Sequence, residues 1–472
     1  AAVTDVEEFI DAGIVLQGAR FHEGAQSIAE LEMPEDRSRF PAAVMIPQYR
    51  TEQLLLERLE AAGITVEWET ELVACTPGPE RVECRLRRAD GSEEACTADW
   101  LLAADGAHST VRSQLGLDFQ GDDLPTTFLI ADVVLDPPFE PGYLDIFLQP
   151  RQGLCACFPV DRTTTRLVVS LLDEAGVGDE PSLEFVQGVI DRTIPGGVVA
   201  SDPTWLATFR VHERVLERFR VGRVLLAGDA AHTHSPAGGH GMNTGMQDAC
   251  NLAWKLAFVV QGDADPVLLE SYTAERAPVG KQIVARANQS RRDYAAIHEA
   301  LKPSYEGGPS GPARLKAQDA DGAAARAALA EAIDLKQYEF NAQGIEMNQR
   351  YESNAVIPDA HGAPEIWKRD RDLYVQPTTR PGAKVPHAWL VGADGHRIST
   401  LDIVGGPFLT LLISPSGVVW AEAVEAVANP RLRTITIGEP GADDLYYEWH
   451  RVREVDDRGA VLVRPDGVVA WR

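Results

Sequence analysis

The stretch Ala227 to Asp248, AGDAAHTHSPAGGHGMNTGMQD, gathers an aspartate, three histidines, a proline and a run of glycines between two apolar segments. Ahead of it, RVLLA (Arg223–Ala227) ends in Gly228-Asp229. A buried parallel strand delivers a polar residue in this way to its C-terminal edge, where open α/β sheets bind ligands. Asp229 is therefore a candidate acceptor for a ligand hydroxyl. Behind the stretch, Ala249, Leu252, Ala253, Leu256 and Val260 recur at helical spacing, so Gly238, Gly239 and Gly241 fall just before or at a helix start. Free backbone N–H groups there suit an anion or an electron-rich oxygen, and glycine lets a flat ligand approach the backbone. A plain Gly-rich connector capped by Asn243 or Thr244 accounts for the same spacing.

A second strand repeats the design. WLLAA (Trp100–Ala104) ends in Asp105-Gly106, and AHSTVRSQLG then begins a helix with Ser109 or Thr110 as cap and Arg112 one turn in. Taken alone, Asp105-Gly106 fits a simple turn and Arg112 a solvated helix-face arginine. Two carboxylate-tipped strands in one αβ domain point instead to a single extended ligand. Of the histidines, whose side chains titrate near neutrality, His232 reads as a packed structural residue. His234, two before Pro236, is the better active-site candidate, and His240 reads as a loop residue.

The elements that must position these residues follow the same grammar. Leu54 to Trp68, LLLERLEAAGITVEW, predicts a helix stopped at Gly63 and followed by a strand, and Asp90-Gly91 predicts a hairpin turn. Between about Asp118 and Thr208, β-branched apolar runs such as FLIADVVL and RLVVSLL, broken by Pro and Gly, predict a mostly antiparallel domain inserted into the αβ one. The alanine-rich segment from Ala313 to Lys336 reads as a helical connector. Beyond Pro386 a third unit has strand pairs joined at Ala393-Asp394-Gly395, Pro415-Ser416-Gly417 and Pro465-Asp466-Gly467. The boundaries read as 1–117 and 209–300 for the αβ domain, 118–208 for the insertion, 301–380 for the connector and 381–472 for the last unit.

Composition excludes several functions. A chain of 472 residues, 44% hydrophobic and 24% charged, is globular, and 71 acids against 44 bases leave a net charge of −27 that repels nucleic acid. No apolar run approaches the roughly 20 residues of a membrane helix. The N-terminal AAVTDVEEFIDAG has no signal-peptide pattern, so the reading is cytoplasmic. Six cysteines without a CxxC support neither a disulfide scaffold nor a zinc site, and no metal is expected; Cys155 and Cys157 share one face of a strand and read as packed thiols.

LLAADGAHSTVR resembles the DG motif, and RVLLAGDAAHTHSPAGGHGMNTGMQDACNLAWKLA the GD motif, of the single-component FAD-dependent aromatic hydroxylases. IPQYRTEQLL (Ile46–Leu55) resembles the segment of that family carrying a flavin-contacting glutamine, here Gln48. GIEMNQRYESNAVIPD and YVQPTTRPGAKVPHAWL are similar to the phenol and chlorophenol hydroxylase branch, which includes polyketide-tailoring members. The end, AVLVRPDGVVAWR, resembles that branch's thioredoxin-like domain, though no cysteine follows Cys250. That unit is then structural or an oligomer contact.

The resemblance covers nearly the whole chain. It implies an α/β fold with a Rossmann-like FAD-binding domain, an inserted antiparallel substrate domain and a C-terminal thioredoxin-like domain. It also implies FAD as cofactor, NAD(P)H and O2 as co-substrates, and a phenolic substrate hydroxylated through a flavin C4a-hydroperoxide. Asp229, beside Gly228, would hold the ribityl chain. The backbone at Gly241, Met242 and Asn243, after Gly239, would face the flavin pyrimidine edge. The carbonyl of Pro236 would lie near the substrate hydroxyl, and Asp105 and Arg112, with Gly106, would belong to the dual FAD/NAD(P)H motif. Phe128–Asp132, Phe147–Phe158 and Trp205–Arg214 are candidate substrate walls.

The family opens with a βαβ unit bearing GxGxxG, and this sequence contains none; VEEFIDAGI resembles the helix after that unit's second strand. The expectation is a truncated hydroxylase lacking that unit. A noncatalytic relic serving as a binding or assembly module is the alternative from another class, and epoxidation or quinone-forming oxidation stays open on the same scaffold.

Overall fold

The computed structural model describes residues 6–33, 40, 43–149, 153–171, 180–305, 310–360 and 362–472, with backbone alone at 122–126 and 303–305. Two short strands carry the site: β1 (Leu101–Ala103) and β2 (Val224–Leu226) run parallel, and Arg220–Val221 pairs antiparallel on the far side of β2. Val224, Leu225 and Leu226 are all fully buried, as a parallel strand covered on both faces requires. The Ala227 N–H donates to the Ala103 carbonyl at 3.0 Å, so Asp105 and Asp229 leave the same sheet edge. Helix α1 (Thr110–Gln114) follows β1, α2 (His240–Val260) follows the β2 loop, and α3 (Glu270–Tyr305) packs against α2. Val111, Phe219, Leu252 and Tyr272 close the core around these strands.

The inserted sheet has eight strands. In spatial order they are His232–Thr233, Val199–Val215, Gln120–Asp136, Thr164–Leu171, Gly153–Pro159, Tyr143–Gln149, Gly18–Glu23 and Gln26–Glu32. All neighbours are antiparallel except Tyr143–Gln149 with Gly18–Glu23. The sheet therefore reaches past 118–208, drawing in residues 18–32 and 209–215. Its last pair, Arg214–Val215 with His232–Thr233, ties it to the loop after β2. Alternation sends Leu129, Ala131, Val133, Leu167 and Val169 to one face, against the helix Leu183–Thr193, and Cys155 and Cys157 join them as their spacing predicts. Phe128 and Phe209 lie on the other face with rings stacked at 5.7 Å.

In the connector, helices Gly311–Lys316 and Ala320–Asp334 precede α4 (Gln343–Met347). The C-terminal unit is a four-stranded sheet in the order β4–β3–β5–β6: β3 (Leu409–Ile413), β4 (Leu432–Thr436), β5 (Ala460–Val463) and β6 (Val469–Trp471). Strands β3 and β4 are parallel across helix α5 (Val418–Val427), and the rest are antiparallel. Asp90-Gly91, Asp394-Gly395 and Asp466-Gly467 turn between antiparallel strands as predicted.

Two expectations fail. Pro415-Ser416-Gly417 does not join a strand pair; it opens α5, with proline in the first turn, where its missing N–H costs nothing. Ile64–Trp68 after the helix Gln48–Ala61 forms no strand, because apolar β-formers become a strand only beside a partner and none lies beside them among the described residues. Ile64 and Trp68 are accordingly exposed. Among the described residues no helix is long and apolar enough to cross a membrane.

Candidate active site

At the end of β2 the chain turns at Gly228 (φ +58°), and its N–H donates to Asp248 Oδ2 on α2 at 3.1 Å. The same carboxylate binds His232 Nε2 at 2.7 Å and accepts from Arg276 Nε at 2.6 Å. Burial pushes the Asp248 carboxyl up in pKa, but His232 and Arg276 outweigh it and hold it below its ordinary range. A Cβ on Gly245 would lie 3.4 Å from the Gly228 Cα, so loop and helix touch backbone to backbone. Asp229, one residue on, is the reverse case. It is exposed, and no hydrogen bond or ion pair reaches its carboxylate among the described residues. Desolvation in its recess raises its pKa, with His232 opposing.

The helix start is set by two left-handed glycines, Gly238 (φ +82°) and Gly239 (φ +66°), after a single turn from Ala237. No side chain caps α2. Asn243 and Thr244 lie inside its first turns, where Asn243 Nδ2 donates to the Gly239 carbonyl (3.2 Å) and Thr244 Oγ1 to that of His240 (2.8 Å). The capping role read for them is thus corrected: the glycines turn the chain. The first-turn N–H groups, those of Gly241 and Met242 among them, have no partner within the helix. Met242 is 42% exposed, and a Cβ on Gly241 would lie 3.7 Å from His234 Nε2, so the imidazole stands over the helix start.

In the other loop Asp105 is spent on local order, accepting from Ser109 Oγ (2.5 Å) and the Val111 N–H (3.1 Å), while Ser109 caps α1 through the Arg112 N–H. Gly106 takes φ +79°. Arg112 is buried, not a solvated helix-face arginine. Its guanidinium donates to the Ala107 carbonyl (2.6 Å) and across to that of Ala230 (3.1 Å), and lies over the Phe119 ring at 4.0 Å. Arg112 clasps the loops after β1 and β2 together.

His232 is the packed residue its sequence position implied, 1% exposed and stacked on Phe219. His234 donates from Nδ1 to the Ser235 carbonyl at 2.7 Å, and its buried Nε2 has no partner. Burial pulls its pKa down to about 4, so at neutral pH it is a neutral imidazole offering an acceptor. Pro236 beside it is exposed. His240 is buried, with Nδ1 3.0 Å from Glu346 Oε1 on α4. Gln48, the first residue of its helix, stands apart: it is exposed, and among the described residues its side chain makes a 3.5 Å contact to Glu52. Asp248, Arg276 and Glu346 escaped the sequence reading; Asp248 ended the quoted stretch, but nothing local to it or to the other two reveals its partner. A cavity of about 1230 Å3 lies elsewhere, between the Gln26–Glu32 edge, the connector and the C-terminal unit, with Leu31, Gln337, Met347 and Lys384 in its wall.

Comparison with known proteins places the chain in a family. The FAD binding domain family matches residues 6–287, and the aromatic-ring hydroxylase C-terminal family matches residues 378–472. The chain is 36% identical over 446 residues to 2,4-dichlorophenol 6-monooxygenase of Cupriavidus pinatubonensis, covering 90% of this chain and 74% of that protein. It is 43% identical over 266 residues to 6-methylpretetramide 4-monooxygenase of Streptomyces rimosus, covering 56% of this chain and 47% of that protein. Among solved structures, the flavin-dependent monooxygenase PieE, in complex with FAD and substrate, superposes with a TM-score of 0.87 at 30% identity, covering 97% of this chain and 83% of that one. The chain belongs to the FAD-dependent aromatic-ring hydroxylases.

Proposed function

We propose that this protein hydroxylates a phenolic ring, of chlorophenol size or part of a polyketide, with the flavin seated on the loop from Gly228 to Asn243. The observation that carries the proposal is the bare Asp229 carboxylate beside the uncapped start of α2. One offers an acceptor to hydroxyls of a ribityl chain, the other N–H donors to carbonyl oxygens of a flat ring, and the residues present fit FAD. Bound FAD would supply the electron relay from NAD(P)H and the activation of O2. The chain's own part is to hold, orient and exclude water.

Arg112 keeps the two loops at fixed separation, with Asp105 and Gly106 shaping the first. Gly241 and Met242 offer open backbone N–H groups, with Gly239 and Asn243 on either side of them, and Gln48 would have to reach the flavin from its own separate helix. Pro236 presents its carbonyl to the substrate hydroxyl, and His234, neutral at working pH, acts as a hydrogen-bond acceptor beside it. The Phe128–Phe209 face of the inserted sheet is the apolar wall for the ring. The test is NAD(P)H oxidation by the FAD-loaded protein with 2,4-dichlorophenol and with a tetracyclic phenol, followed by product mass. Stimulated oxidation with one oxygen atom gained supports the proposal; flavin bound without stimulation by any phenol overturns it.

A further inference from the structure

Helix α2 carries a stripe that the chemistry above leaves unexplained. Thr244, Asp248, Asn251 and Lys255 recur at steps of four, three and four, which is one helix face, and that face is buried: 3%, 0%, 3% and 0% exposed. Such a stripe is ordinarily apolar. Here it is polar and fully engaged by two consecutive residues of α3. Arg276 takes Asp248 and the Thr244 carbonyl (3.3 Å), and it is held from behind by Tyr351 Oη (2.8 Å) and Gln349 Oε1 (3.2 Å). Glu275 takes Asn251 Nδ2 and Lys255 Nζ, both at 2.7 Å. The C-terminal unit completes the set: Arg464, one residue past β5, donates to both Glu275 oxygens at 2.6 and 2.9 Å, and Asp466 holds its other side at 3.0 Å.

Buried ion pairs add little stability over an apolar packing of the same shape, but each has a single satisfied geometry. An apolar stripe fixes its register by packing alone; here directional hydrogen bonds also tie α2 to one axial position. The N-terminus of α2 faces the flavin loop, and Asp248 on the same stripe holds Gly228 and His232, so that register sets the loop.

We propose that Glu275 and Arg464 are positioning residues, through which the docking of the C-terminal unit fixes the axial register of α2 and with it the loop from Gly228 to Met242. The inference rests on the flavin reading for its consequence, but its geometry does not need the flavin. Amide hydrogen exchange of the full chain without ligand therefore tests it first, and FAD affinity second. Arg464→Met is expected to speed exchange of the 228–242 amides about tenfold and to raise the FAD dissociation constant by a similar factor. Arg464→Lys, which keeps one donor, should recover much of both. Strand Gly153–Pro159 should exchange as in the parent, which excludes general loosening. If Arg464→Met does not fold, Asn251→Ala removes the contacts of Asn251 to Glu275, Lys255 and Asp466 while leaving the charged groups paired with one another, and a smaller change in the same direction is expected. Faster exchange confined to the C-terminal unit, with the 228–242 amides and FAD affinity unmoved, overturns the proposal. Faster loop exchange in a protein that binds no FAD upholds the positioning role and refutes the flavin reading alone.

Discussion

Asp229 and Asp248 sit 19 positions apart in one motif and have opposite fates: one is bare and exposed, the other buried with three donors. A buried acceptor with its donors in place is structural, and an unpaired one at a sheet edge is kept for something that arrives. Asp229→Ala is expected to weaken FAD binding by about 10- to 100-fold, the range for losing hydrogen bonds to a charged group, with little change in thermal midpoint of the ligand-free protein. A titration of flavin fluorescence checks it.

His234 makes a different prediction. Its folded pKa of about 4 lies below the ordinary 6.5, so between those values the unfolded chain takes a proton that the folded one refuses. Stability is complete above pH 6.5 and falls as the pH drops toward 4. His234→Gln should flatten that part of a pH series of denaturation midpoints; an unchanged slope would show that other groups cause it. The place of Asp229, exposed just past a buried strand, was legible because its clue is local, a polar residue at the end of an apolar run. Arg112 was not, because the Ala230 carbonyl that it binds comes from a distant segment and no spacing on its own helix reveals it.

At the scale of elements, the start of α2 was legible to within a residue, while its cap was not. The motif offered Asn and Thr, the usual capping types, yet the turn is made by two glycines at positive φ. Gly238 and Gly395 separate the two costs of such a position. Both have φ near +80°, but a Cβ on Gly395 meets nothing within 4 Å, whereas one on Gly238 would come within 2.6 Å of His240 Nε2. Gly395→Ala should therefore cost about 1 kcal/mol, from backbone strain alone. Gly238→Ala should cost about 2 kcal/mol or more and displace His240 from Glu346. Urea denaturation of the two variants decides it, and equal costs would mean that the loop yields freely. Pro415-Ser416-Gly417 and Ile64–Trp68 were misread for a related reason. Turn residues and β-formers report local conformation, while the choice between hairpin and helix start, or strand and loop, depends on neighbours distant in sequence.

At the scale of the whole molecule, three units meet around one loop: β2 delivers it, the inserted sheet pairs with it at His232–Thr233, and the C-terminal unit grips the helix that follows it. The antiparallel sheet and the C-terminal sheet were legible as separate sheets from the switch between helical and alternating patterns. The reach of the inserted sheet back to residues 18–32 was not, because a parallel pair with Tyr143–Gln149 leaves no turn between them in the sequence. The Phe128–Phe209 pair faces away from the packed side of that sheet, so Phe209→Ala is expected to raise KM for phenolic substrates severalfold and leave FAD affinity unchanged. Steady-state kinetics beside a flavin titration check it, and an equal weakening of substrate and flavin binding would place the pair in the general core.

The central claim is that the flavin sits where the bare carboxylate meets the open helix start. Its most direct test is a titration of the purified chain with FAD, followed by visible absorbance, with the parent and Asp229→Ala side by side. The account predicts a saturable shift of the flavin bands in the parent and a requirement for at least about tenfold more FAD in the variant. Superimposable titrations, or a parent that leaves the flavin spectrum unchanged, would contradict it.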